Sequence, residues 1–142
     1  MAEPARVLVL AHRTAATSAL LDAIRERAGQ GEVEFELIVP STSHGLHRVV
    51  DPEEGGRDEA QKALDAALPK LSDAAGKQVG GRIGDPEPLS AIQDAINLGS
   101  FDEIIISTLP QRMSRWLRLD LVSKARGLGL PVTHVEAPEG EV

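Results

Sequence analysis

Two short segments carry side chains suited to holding an anion. One is His12-Arg13-Thr14, and the other is Ser107-Thr108-Leu109-Pro110-Gln111-Arg112, with Arg115 three residues further on. Guanidinium groups present rigid forks of donors that match phosphate oxygens. The hydroxyls of Ser107 and Thr108 could bind phosphate or sugar, or could only cap a turn. His12 could donate to a ligand, act as a base, or pack at a helix start, and no carboxylate beside it in sequence orients its ring. Arg112, Arg115 and Arg118 recur three apart, so they could equally form the solvated face of a helix.

Other chemistries lack their residues. The chain has no cysteine, which removes disulfides, thiolate catalysis and cysteine metal ligands. His44 and His47 lie in a glycine-bearing stretch without an H-E-x-x-H pattern, so no metal is expected. Asp51, Glu53 and Glu54 do not match a calcium loop. A G-x-S-x-G elbow, a G-x-x-x-x-G-K-[ST] loop and a G-x-G-x-x-G fingerprint are all missing. Gly127-Leu128-Gly129 follows a helix and precedes a strand, the wrong side of a helix for phosphate. No catalytic residue is assigned, and the chain reads as a binding module rather than an enzyme.

The elements that must position these groups alternate. Short apolar runs at 7–11, 33–39, 79–83, 103–107 and 131–135 predict five strands, and Ile104-Ile105-Ile106 is the clearest of them. Helices are expected over 14–28, 57–75, from Asp85-Pro86 to Leu98, and over 113–126, with Thr14 or Thr17 capping the first and Pro69 breaking or kinking the second. The stretch 41–56 is a polar loop. The product is an α/β fold: a five-stranded parallel open sheet, order 3-2-1-4-5, with helices on both faces. Ligands bind beyond the carboxyl ends of such strands, where strand order reverses. Strands one and four meet there, which brings Arg13 and Arg112 to one crevice. Helix starts beyond both strands add their backbone N–H groups. Pro40 and Gly84, at the ends of strands two and three, complete the set of ligand candidates.

Bulk properties agree. A length of 142 residues suits one domain, taken as 1–136, with 137–142 a polar tail. A net charge of -7 works against non-specific attraction to nucleic acid. No run approaches the ~20 apolar residues of a membrane span. The opening Met1–Pro4 leads directly into Arg6-Val7-Leu8-Val9-Leu10 without the pattern of a secretory signal, so a cytoplasmic location is expected.

The order and spacing resemble the universal stress protein family over nearly the whole chain, from Val7 to Val135. The resemblance lies in Val7–Thr14, in Gly84-Asp85-Pro86 followed by a helix and Phe101–Ile106, in Met113–Leu117, and in Leu130–Val135. It implies a Rossmann-like sheet of the adenine nucleotide alpha hydrolase-like type. Nucleotide-binding members carry an acidic residue after strand one, where this chain has His12. Their phosphate loop reads G-x2-G-x9-G-[S/T]. Here Ser107 and Pro110 replace the first two glycines, and Leu119-Asp120 occupy the last pair. Leucine and aspartate are not expected to supply glycine's positive φ. The resemblance also implies a homodimer paired through the final strand, Pro131, Val132, Thr133, His134 and Val135, which would cover an exposed edge. The leading expectation is a regulatory or stress-associated protein binding a small anionic ligand, with ATP or another nucleotide as the candidate cofactor. The alternatives are an ATP-independent homodimeric interaction module and, third, a nucleotide hydrolase or transferase.

Overall fold

The computed structural model describes residues 4–41, 52–110, 114–118 and 120–138, including side chains except those of 52–58 and 118. Elements follow in the order β1 (Ala5–Leu10), α1 (Ser18–Ala28), β2 (Val33–Pro40), α2 (Pro52–Ala75), β3 (Gly80–Gly84), α3 (Pro88–Leu98), β4 (Glu103–Thr108), α4 (Arg115–Arg118), α5 (Leu121–Arg126) and β5 (Val132–Glu136). All pairings are parallel, in the order β3-β2-β1-β4-β5. The expected topology is therefore observed, with β1 and β4 adjacent at the switch point.

Alternation along β1 explains why the sheet is covered twice. Val7 and Val9 face one way and pack with Leu20 and Ile24 of α1 and Leu64 and Leu71 of α2. Leu8 and Leu10 face the other way and pack with Ile92 of α3, Ile104 and Ile106 of β4, and Leu121 of α5. These strand side chains are fully buried. Each is worth ~1.5–3 kcal/mol relative to exposure, so this continuous apolar run dominates the core. Val9 sits opposite Leu37 of β2 on one side and Ile105 of β4 on the other, which fixes the register at the centre of the sheet.

Several element boundaries differ from the sequence reading. The first helix starts at Ser18, not Thr14, because 12–17 form tight turns: Ala15 N donates to His12 O and Thr17 N to Thr14 O. Thr17 is the N-cap residue, but its hydroxyl donates to Thr14 O instead of capping the helix. The second helix begins at Pro52 rather than Arg57, since proline's fixed φ suits a first helical turn. It takes in Gly55 and Gly56 and continues across Pro69 without a break. Residues 42–51, with His44, His47 and Asp51, lie outside the described residues.

The third helix starts at Pro88, with Glu87 and not Asp85 as its cap. A residue before proline is held out of the helical region, and Glu87 precedes Pro88. Its extended backbone (φ -82, ψ 115) accordingly lies outside the helix. Asp85 instead accepts a hydrogen bond from Glu87 N at 2.9 Å. The expected helix over 113–126 is two pieces, α4 and α5, separated by Asp120 in a left-handed conformation (φ 58, ψ 37).

Candidate functional site

A cavity of about 520 Å3 opens beyond the carboxyl ends of β1 and β4. His12, Arg13 and Thr14 line it from the turn after β1, and Pro40 and Ser41 from the end of β2. Ser107, Thr108 and Leu109 contribute from the end of β4, and Ser114, Arg115 and Trp116 from the start of α4. Glu59 of α2 and Pro86 of the turn before α3 complete the lining. The reversal of strand order thus leaves a crevice where switch-point reasoning places one.

Its floor is built of hydroxyls. Thr14 and Ser107 are buried, and their Oγ1 and Oγ atoms lie 2.7 Å apart, joining the β1 turn to β4. A hydroxyl can both donate and accept, so the pair keeps capacity for a third partner. Thr108, also buried, has its Oγ1 2.8 Å from Nε2 of His134 on β5. Ser114 Oγ accepts from Leu117 N at 3.1 Å and anchors the short α4.

Charge sits at the rim. Arg13, Arg115 and Glu59 are exposed. His12 is half-buried, and its pKa is lowered. Burial is the largest cause; the Glu59 charge opposes it and Arg13 adds to it. The His12 ring is therefore neutral at pH 7, able to donate from one nitrogen and accept at the other. His134 behaves alike: burial lowers its pKa, with Glu136 opposing and Arg126 reinforcing.

Seven of the ten ligand candidates named from sequence come together here: His12, Arg13, Thr14, Pro40, Ser107, Thr108 and Arg115. Gln111 and Arg112 lie outside the described residues, as does Met113. Gly84 does not line the cavity. A Cβ on it would meet Ile38 Cγ2 at 2.7 Å and Ala91 Cβ at 3.0 Å, so its bareness lets α3 approach the sheet. Its carbonyl accepts from Ser41 N at 3.0 Å, which ties down the end of β2.

Asp120 corrects the expectation that aspartate cannot take a glycine-like backbone there. It is the one described non-glycine residue with positive φ. Aspartate is among the few residues that visit this region routinely. The side chain is exposed.

Glu59 and Ser114 were missed by sequence reasoning. A signal for Glu59 existed: Ala60, Leu64, Ala67 and Leu71 mark the buried stripe of α2, and Glu59 lies on its shoulder in the half of the helix nearest the carboxyl ends of the strands. None of Pro131–Val135 lines the cavity, although His134 is hydrogen-bonded to its lining residue Thr108. Val132–Val135 fall within β5, which pairs only with β4 among the described residues, and Pro131 and Thr133 are exposed.

No family model and no curated protein matches the chain. Solved structures do. A universal stress protein family member from Burkholderia pseudomallei superposes with a TM-score of 0.65 at 16% identity, covering 92% of this chain and 95% of that one. The universal stress protein from Archaeoglobus fulgidus in complex with dAMP gives 0.62 at 16% identity, covering 95% and 99%. A universal stress protein family protein from Arabidopsis thaliana with AMP bound gives 0.60 at 13% identity, covering 97% and 95%. The chain therefore has the universal-stress-protein fold over nearly its whole length.

Proposed function

We propose that the chain is a divergent universal-stress-type regulatory protein that binds a small anionic ligand, a nucleotide, in the cleft between β1 and β4 and does not act chiefly as an enzyme. The observation that carries this is the floor-and-rim arrangement: paired hydroxyls of Thr14 and Ser107 below, the guanidinium groups of Arg13 and Arg115 above. In this reading arginines and hydroxyls take over the work that glycine-loop amides do elsewhere, with Arg112 and Gln111 as further contacts. The cavity size lies within the ~300–1,000 Å3 typical of small-molecule sites. The nucleotides held by fold neighbours, dAMP and AMP, support the ligand class.

Calorimetric titration with AMP and with ATP tests this. Saturable binding is expected, and Arg13→Ala together with Arg115→Ala should weaken it by at least about tenfold, the loss of a charge-assisted hydrogen bond or more. Unchanged affinity in the double variant would remove the proposed site.

A second reading rests on β5, an edge strand with exposed Thr133. Pairing of two chains along Pro131–Val135 would satisfy its open backbone groups and make a homodimer. A dimeric mass in solution without heat from either nucleotide would favour the ATP-independent interaction module. Among the described residues no helix is long and apolar enough to cross a membrane, and we place the protein in the cytoplasm as part of the same proposal.

A further inference from the structure

We infer that Glu59 is the specificity-determining carboxylate of this cleft, accepting hydrogen bonds from a vicinal diol, so that the favoured ligand is a ribose-bearing monophosphate rather than a polyphosphate. This rests on the nucleotide reading above and adds what the cleft selects. Glu59 is the one acidic side chain among the described residues lining the cavity. Its side chain is exposed where it lines the cavity. The neighbouring Ala60 is fully buried and anchors α2 on the sheet, which holds the Glu59 backbone firmly at the rim.

The rest of the lining gives this carboxylate its meaning. Arg13, Arg115 and the serine and threonine hydroxyls all offer donors to a phosphate, whereas an ionised carboxylate can only accept. It therefore repels each added phosphate charge and rewards a ligand group that donates. Two adjacent hydroxyls match its two oxygens. Glu59 lines the same cavity as His12 and Arg13 of the β1 turn. The cleft is thus polarised, with cations and hydroxyls for an anion and one acceptor for the sugar.

Calorimetry with AMP, 2′,3′-dideoxyadenosine monophosphate and inorganic pyrophosphate, on the wild type and on Glu59→Gln, tests this. Glu59 is exposed, so the substitution leaves the core intact. In the wild type, loss of the diol should weaken binding by about ten- to a hundredfold, the range for hydrogen bonds to a charged group. In Glu59→Gln that gap should shrink to a few-fold, and pyrophosphate should bind more tightly than it does to the wild type, a gain that a merely structural residue would not produce. A wild-type protein indifferent to the diol, or an undiminished gap in Glu59→Gln, overturns the inference and leaves the nucleotide reading standing. Absence of any AMP binding to the wild type overturns both.

Discussion

Replacing Gly84 by alanine adds one methyl group where there is no room for it. The new Cβ would lie 2.7 Å from Ile38 Cγ2 and 3.0 Å from Ala91 Cβ. Ile38 is 1% and Ala91 2% exposed, so neither has free space to retreat into. Gly84 is not among the positive-φ glycines, and no backbone strain adds to the clash. Overpacking of this kind costs ~1–3 kcal/mol. For a chain of this length that corresponds to a fall of about 3–12 °C in Tm. Gly80→Ala is the matched control, since nothing lies within 4 Å of its added Cβ; it should change stability by no more than ~1 kcal/mol. Both variants would be followed by thermal unfolding and titrated with AMP while folded. The packing role predicts a large drop in Tm for Gly84→Ala alone, with the affinity of the folded protein retained. A Gly84→Ala variant as stable as Gly80→Ala, or one that keeps its stability and loses AMP affinity, would rule out a packing role for Gly84.

Ser107→Ala removes one member of the 2.7 Å hydroxyl pair; urea unfolding should show a loss of ~1–2 kcal/mol, and AMP affinity should fall as well. Asp120→Gly relieves a left-handed backbone (φ 58) and should stabilise the fold by ~0.5–1 kcal/mol, read as a higher urea midpoint. Both His12 and His134 have pKa values lowered from 6.5, chiefly by burial. Between those lowered values and 6.5 the unfolded chain binds more protons than the folded one, so stability rises with pH there. The stabilisation is complete above 6.5 and is lost as pH falls through the folded values; thermal scans should show this decline, with a shallower slope in His134→Gln.

The strands were legible because burial on both faces demands unbroken apolar runs such as Val7–Leu10 and Ile104–Ile106. The strand order followed from right-handed crossovers and the preference for a reversal at the first strand. Helix starts were less legible. The two prolines around Glu87 compete as helix openers, and only the restriction that Pro88 imposes on its predecessor decides between them. Asp120 is hidden inside an apparently continuous amphipathic stretch, because a left-handed aspartate leaves no mark on hydrophobic spacing. For the site, loops following buried strands pointed directly at Arg13, Ser107 and Thr108. Glu59 and the Thr108–His134 hydrogen bond depend on the rotation and register of separate elements. Local spacing marks Glu59 only as a shoulder of the buried stripe of α2 and leaves the Thr108–His134 pairing unmarked.

Gly84 shows the opposite failure. A glycine at the end of a strand beside a candidate cleft reads as a ligand contact, yet close helix packing needs the same bare backbone. Ser107 brings a hydroxyl within 2.7 Å of that of Thr14. Asp120 takes a left-handed backbone conformation more usual for glycine.

A crystal structure of the protein grown with AMP would show whether a nucleotide sits over the Thr14–Ser107 floor. Density is expected with the phosphate within hydrogen-bond distance of Arg13 or Arg115 and the ribose turned toward Glu59. A nucleotide bound elsewhere, such as against Arg6 and Lys77 in the smaller cavity lined by the start of β2, or an empty cleft at saturating AMP, would contradict it.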